Sequence, residues 1–247
     1  LIAYTGIWVI SPKRLFTGNW KDELWLVAGG IFGGSLYFFT ENTALGITQA
    51  SNVSFIICTA PLLTTILSLL FYKSEKASKG LIYGSLLALM GVGLIVFNGS
   101  FVLKISPIGD LLTLLAALSW AFDSLIIKKM AGRYPTVFIT RKIFFYGVLT
   151  ILPAFLLHPL QPDTAVLLQP GVLFNLLFLA VLASLICYVL WNVVLKQLGT
   201  VRASNYIYLN PLVTMIASSL ILDEKITLVA LGGAACIVCG VYWAEKK

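Results

Sequence analysis

Eight apolar runs, each long enough to cross a bilayer as a helix, leave this chain few architectures. They cover 24–45, 49–72, 79–98, 108–127, 139–158, 171–195, 201–222 and 227–244. A helix rises about 1.5 Å per residue, so about 20 residues span the roughly 30 Å of hydrocarbon. The links are short, which makes neighbouring helices antiparallel. Segments of about ten residues with alternating polarity, the mark of a membrane β-barrel, do not occur. The sequence therefore predicts an all-α integral membrane protein, a polytopic helical bundle. Composition agrees: 59% of residues are hydrophobic and 11% charged, against about a quarter charged in soluble domains. A disordered chain, a disulfide-framed secreted domain and a soluble enzyme are excluded.

Charge sets direction. Of 17 Lys and Arg residues, only Lys104 and Lys225 fall on one side when the links are alternated. The remainder, from Lys13 and Arg14 through Lys73, Lys76, Arg141 and Lys142 to Lys247, fall on the other, which positive-inside segregation makes cytoplasmic. The C-terminus is expected there too. The net charge of +7 is thus read as topology rather than as a nucleic-acid surface. Leu1–Ile10 is apolar but too short to span and is read as a helix cut partway; a first helix and part of a second are expected upstream. Cys58, Cys187, Cys236 and Cys239 all lie in apolar runs. The C-x-x-C pair lacks a second pair and a nearby His, so no metal site or cofactor is expected.

The chain also repeats itself. A shift of 150 positions places Asn42 on Asn192, Gly34 on Ser184, Phe38 on Tyr188, Phe55 on Asn205, and both Leu45 and Pro61 on Leu195 and Pro211. At a shift of 149, Glu75 meets Glu224, Gly84 meets Gly233 and Gly91 meets Gly240. A run of such matches across four helices points to duplication, with repeats over 1–105 and 106–247. The link bearing Glu75 is basic and the link bearing Glu224 is not, so the two five-helix copies are expected to lie in opposite orientations. Inverted repeats let one arrangement open inward and its counterpart outward around a midplane site, as a secondary transporter requires.

The ordered stretches Glu41-Asn42-Thr43-Ala44-Leu45, Gln49-Ala50-Ser51-Asn52, Thr59-Ala60-Pro61-Leu62, Lys73-Ser74-Glu75-Lys76 and Gly91-Val92-Gly93 resemble the EamA-type repeat. Ala203-Ser204-Asn205, Asn210-Pro211-Leu212, Asp223-Glu224-Lys225 and Gly240-Val241 repeat the series, and Ser119-Trp120-Ala121 adds to it. Together they resemble the drug/metabolite transporter superfamily over essentially the whole chain. The resemblance implies ten helices, both termini cytoplasmic, residence in the plasma (bacterial inner) membrane and a central cavity. It also implies alternating-access transport, often export, of amino acids, other metabolites or drugs. The expected partners are a small-molecule substrate and the lipid bilayer, with a homodimer as a further option.

Helical spacing nominates site residues. Phe38 and Asn42 share a face with Gly34, and Tyr188 and Asn192 share the repeat-related face with Ser184. Asn52 and Phe55 form a stripe with Thr59; Asn205 and Tyr208 form another; Trp120 lies beside Asp123 and Ser124. Aromatics with a few placed polar groups suit a solute cavity, though the same types also serve simply as interhelical hydrogen bonds and filling. Glu41 and Asp123 are carboxylates within spans, hence candidates for a coupling proton, or else side chains reaching a nearby interface. Gly29 with Gly33, Gly30 with Gly34, the series Gly80, Gly84, Ala88, and Gly233 with Ile237 and Gly240 read as close-packing faces, one of them open to dimerisation. Asn98-Gly99-Ser100 matches a glycosylation triplet, and His158 reads as a surface residue. No catalytic constellation is visible, which disfavours a membrane enzyme. A channel remains as a further class, and among carriers a nucleotide-sugar transporter, which would require convergent basic residues where only Arg202 comes near.

Overall fold

The computed structural model describes residues 2–10, 16–72, 78–97, 106–157, 164–221 and 226–246. Lys13, Arg14, Lys73, Glu75, Lys76, Asn98, Gly99, Ser100, Lys104, His158, Asp223, Glu224, Lys225 and Lys247 lie outside them, so the two links on which the opposed orientation rests are not described. Among the described residues all regular structure is helical: α1 Ile2–Ile10, α2 20–47, α3 50–71, α4 Lys79–Phe97, α5 Pro107–Ala131, α6 Thr136–Leu157, α7 Thr164–Leu167, α8 170–198, α9 200–221 and α10 Leu228–Glu245.

Local chemistry sets where these helices begin. Asn19 accepts a hydrogen bond from the Lys21 amide at 3.0 Å, and Asp22 and Glu23 follow in the first turn of α2, where the free N–H groups favour negative charge. Ser78 caps α4 through the Leu81 amide at 3.0 Å, and Thr227 caps α10 through Ala230 at 3.2 Å. Two helices are interrupted at repeat-related places. In α3 the interruption falls at Cys58 and Thr59, just before Pro61; in α9 a 3-10 turn at Tyr206–Leu209 precedes Pro211. A proline lacks the N–H that would continue the ladder and crowds the preceding turn.

Among the described residues, six of the eight expected spans are long and apolar enough to cross a membrane: Asn52–Phe71, Lys79–Phe97, Pro107–Ala131, Thr136–Ala154, Pro170–Leu198 and Leu228–Glu245. Helices α2 and α9 also have the length but are less apolar than these six. Acids and glycines in α2, and Ser204, Asn205 and Asn210 in α9, dilute their apolarity.

The chain packs as two compact units, residues 1–36 with 126–198 and residues 37–125 with 199–247. They differ from the sequence repeats, since each draws on both sides of residue 105. In the first unit α6 is the central post. Gly30 and Gly34 of α2 lie directly on it: a Cβ at Gly34 would stand 2.8 Å from the Gly147 Cα. The Ser35 and Thr150 hydroxyls hydrogen-bond at 2.8 Å beside that contact. In the second unit α4 and α10 meet along bare backbone. A Cβ at Gly91 would stand 2.5 Å from the Gly233 carbonyl oxygen, and one at Gly240 2.5 Å from the Ala88 nitrogen. Small residues allow this approach, and close backbone packing is what holds helices together where no hydrophobic drive separates them from lipid. The faces with Gly84, Ala88, Gly233, Ile237 and Gly240 are therefore buried against each other and are not open to a second copy.

Candidate functional site

The second unit gathers an aromatic and polar cluster. Tyr37 begins the last part of α2, and its ring lies 5.3 Å from the Trp120 ring of α5. Its hydroxyl donates to Glu41 Oε1 at 3.1 Å, one turn along the helix. Cys58, at the interruption of α3, packs with Tyr208, Ala88, Val92, Ile237 and Val241 in a buried core, and Phe55 packs against it. The Phe55 ring also meets Phe97 at 5.3 Å. From α4, Ser85 Oγ donates to Asn205 Oδ1 at 3.4 Å, both side chains being buried. Tyr208 lies near Ser85 without reaching hydrogen-bonding geometry.

The cluster's polar groups are not all spent. Asn205 uses its oxygen on Ser85, but its Nδ2, the Tyr208 hydroxyl and the Ser204 hydroxyl are buried with no hydrogen-bond partner among the described residues. A buried donor without a partner costs about 1–3 kcal/mol, and three such groups fall on one short stretch of α9. Aromatic rings, buried donors and a carboxylate are the groups that hold organic molecules by stacking and hydrogen bonds; here Tyr37, Trp120 and Glu41 form one such group and Ser85, Asn205 and Tyr208 another. Among the described residues no group of His, Cys, Asp or Glu could hold a metal ion.

Of the residues nominated from the sequence, Trp120 and Glu41 meet at Tyr37, while Phe55 and Tyr208 pack around Cys58 and Asn205 meets Ser85. Asn52, on α3, and Asp123, one turn beyond Trp120, are buried in the same unit. Phe38 and Asn42 are exposed, and the Asn42 amide donates to the Phe38 carbonyl of its own helix at 2.7 Å. Their repeat partners take a different place. In the first unit the Tyr188 ring lies tilted against Phe144 with ring centres 5.0 Å apart, and Asn192 Nδ2 donates to Thr140 Oγ1 at 2.6 Å. Both therefore serve to fasten α8 to α6.

Sequence reasoning missed Tyr37, Cys58 and Ser85, although Tyr37 and Glu41 stand at the i, i+4 spacing that brings side chains together. It also counted Arg141 and Lys142 with the cytoplasmic charges, although both fall at the start of its span 139–158, and gave neither a partner. Both lie inside α6, 1% and 0% exposed. Lys142 Nζ is ion-paired with Glu23 Oε1, Tyr146 donates to the same oxygen, and the Thr17 amide and hydroxyl bind Oε2 at 3.1 and 2.8 Å. Beside it, Asp22 takes Arg133 at 2.6 Å and the Tyr134 hydroxyl at 2.9 Å. The acid pair at the start of α2, followed by an unpaired-looking Lys deep in another apolar run, was the available signal.

Comparison with known proteins adds a second line. The EamA-like transporter family matches residues 1–97 and again 107–244. An "Uncharacterized transporter" of Archaeoglobus fulgidus is 28% identical over 242 residues, covering 97% of this chain and 82% of the relative. A "Probable amino-acid metabolite efflux pump" of Salmonella typhimurium is 27% identical over 95% of this chain and 81% of its own length. A solved crystal structure superposes with a TM-score of 0.76 at 18% identity, over 98% of this chain and 82% of that one.

Proposed function

We propose that this chain, which belongs to the EamA-like transporter family, exports amino acids or related small metabolites by alternating access. The coarser statement stands on its own: the protein is an integral membrane transporter of small solutes, and the family and its relatives are named as transporters rather than as enzymes. The observation that carries the finer reading is the cluster of Tyr37, Glu41, Trp120, Asn205 and Tyr208 with its unpartnered buried donors. Those donors suit the carboxylate or carbonyl of an amino acid, the aromatic rings its apolar side chain, and Glu41 its ammonium group or a coupling proton. The efflux-pump names of two enterobacterial relatives support the direction of transport and the class of cargo. The two-repeat organisation at 1–105 and 106–247, the opposed orientation of the copies and the cytoplasmic C-terminus belong to the same proposal and are supported by the charge pattern of the sequence.

A nucleotide-sugar cargo would call for free cations beside the cluster. Arg202, the nearest in sequence, lies 4.0 Å from Glu245 and so has a counter-charge of its own.

The test is counterflow in proteoliposomes holding the full-length natural protein, with a radiolabelled mixture of amino acids as probe. Unlabelled amino acids inside are expected to stimulate uptake of label, and Trp120→Ala is expected to reduce the initial rate at least about tenfold, the loss of one stacking contact and its alignment. Flux without stimulation from the opposite side indicates a passive pore and ends the carrier reading. Glu41→Gln is expected to remove dependence on a pH gradient; a variant that keeps it assigns the coupling elsewhere.

A further inference from the structure

Five buried polar groups of the second unit lie close together without partners. Thr200, Ser204 and Tyr208 follow one another at four-residue intervals on α9, the spacing that puts side chains on one helical face. They are 0%, 0% and 1% exposed, and none of their hydroxyls has a hydrogen-bond partner among the described residues. The same holds for Asn205 Nδ2 beside them. The fifth group is the hydroxyl of Thr64, 0% exposed, on α3. Thr64 belongs to the buried face of Ala60–Phe71, with Ala60, Pro61, Thr65 and Ser68, and that segment packs against Thr200–Asn205. Its neighbour Thr65 behaves differently, for its hydroxyl donates to the Pro61 carbonyl at 2.9 Å. A helical hydroxyl commonly takes such a carbonyl one turn back; Thr64 and Ser204 do not.

The spacing of the row says what completes it. Residues four apart on a helix are about 6 Å apart along its axis. That is too far for one hydrogen bond and matches two in series, each about 2.8 Å between oxygens. One water between Thr200 and Ser204 and one between Ser204 and Tyr208 therefore close the row, with Thr64 and Asn205 as further partners. Buried water sits among otherwise unsatisfied polar groups of this kind, and a hydroxyl both donates and accepts, as a chain of water requires. The two ends of the row differ. At the outer end Arg202 lies 4.0 Å from Glu245 Oε2 of α10. Glu245 Oε1 is buried with no partner among the described residues. Lys79 of α4 is exposed at the same end, next to Gly80, which lies against Trp243 and Lys246. At the inner end the Cys58 thiol of α3 lies within electrostatic reach of both Tyr208 and Tyr37, and the Tyr37 hydroxyl donates to Glu41.

We propose that the contact between 60–71 and 200–208 holds a file of bound water, and that this file carries the coupling proton between Glu245 and the site that contains Glu41. Only O–H bonds form and break along it. Each water or hydroxyl accepts a proton on one side and gives one up on the other, so the row ends as it began with its dipoles reversed. The proton comes from the aqueous phase on one face and leaves to the other. The charge pattern puts the Glu245 end at the cytoplasmic face. That direction suits an exporter, in which protons taken up outside are released inside while cargo leaves. The proposal deepens the carrier reading and rests on it for the existence of a coupled proton; the bound water does not depend on it.

The test begins with water-edited solid-state NMR on the unmodified full-length protein in lipid bilayers, which reads how fast magnetisation passes from water to each side chain. Thr64, Thr200 and Ser204 are expected to gain signal at least about fivefold faster than Ala88 and Val92, which are equally buried in the same unit. Equal, slow gain at all five overturns the proposal. The double variant Thr64→Val with Thr200→Val, which removes two hydroxyls at nearly constant volume, is then read in proteoliposomes. Uptake of the labelled amino-acid mixture driven by a pH gradient is expected to fall at least about tenfold, as for loss of a proton-transfer group. Counterflow, which moves no net proton, is expected to be unchanged. Gradient-driven uptake at the unmodified rate overturns the proton route and leaves structural water only, and loss of counterflow together with it overturns the route as well. Should the double variant not fold, Thr200→Val alone takes its place. Counterflow without gradient-driven uptake in the unmodified protein overturns the route and leaves the carrier reading intact. Fast signal gain with no counterflow in the unmodified protein leaves the water and ends both the carrier reading and the route.

Discussion

The two compact units hold their helices by opposite means. The first uses charge: Lys142, fully buried, faces Glu23, and Asp22 binds Arg133 at the start of the same helix. The second uses almost no chemistry at its main seam, only glycine backbone against backbone between α4 and α10. A buried ion pair is weak as glue, because the desolvation of both ions offsets most of their attraction, but it is unforgiving of losing one partner. A backbone seam has the reverse character: there is nothing to lose and no room to gain. The first arrangement defines one register between α2 and α6. The second merely excludes any side chain larger than hydrogen.

That contrast can be broken in graded steps, each read as thermal unfolding of the full-length protein in detergent. Lys142→Met is expected to cost most, about 3–5 kcal/mol, since Glu23 is left charged and buried. Adding Glu23→Met should recover most of that loss; a double variant as unstable as the single would show that the pair itself, and not the orphaned acid, matters. Gly91→Leu comes next, with about 1–3 kcal/mol of overpacking, because the atoms it meets are the Gly233 carbonyl and the Ile237 backbone, which cannot rotate away. Ser85→Ala removes one buried hydrogen bond to Asn205 and should cost about 0.5–1.5 kcal/mol. The smallest effect, no more than about 1 kcal/mol, is expected for Arg133→Ala, whose side chain is 58% exposed. A larger loss for Gly91→Leu than for Lys142→Met would invert the comparison.

Much of this was legible in the sequence, and the failures have causes. Apolar run lengths located the helices because hydrocarbon thickness leaves little freedom. Apolarity was a poorer guide to α2 and α9, where polar and small residues serve the interior rather than lipid. The helical wheel that joined Gly34 to Phe38 and Asn42 ran through the π-helix Gly30–Leu36, where the angular step per residue is smaller. It therefore put Gly34, which rests on α6, on one face with residues that are exposed, and it passed over Tyr37 one position away. Similarity between the copies predicted like roles for Asn42 and Asn192. Their surroundings differ, since only Asn192 has Thr140 opposite it. Lys142 was counted with the cytoplasmic charges and given no partner, because its acid lies 119 positions away in sequence, beyond the reach of any local pattern.

The glycine seam between α4 and α10 has one further effect. Ala88, Val92 and Ile237 at the seam share one buried cluster with Cys58 and Tyr208, and Ser85 of α4 reaches Asn205 beside it. The seam is thus a rigid rail for the polar stretch of α9: with no side chain between the two backbones to yield, a displacement of Tyr208 must be taken up elsewhere.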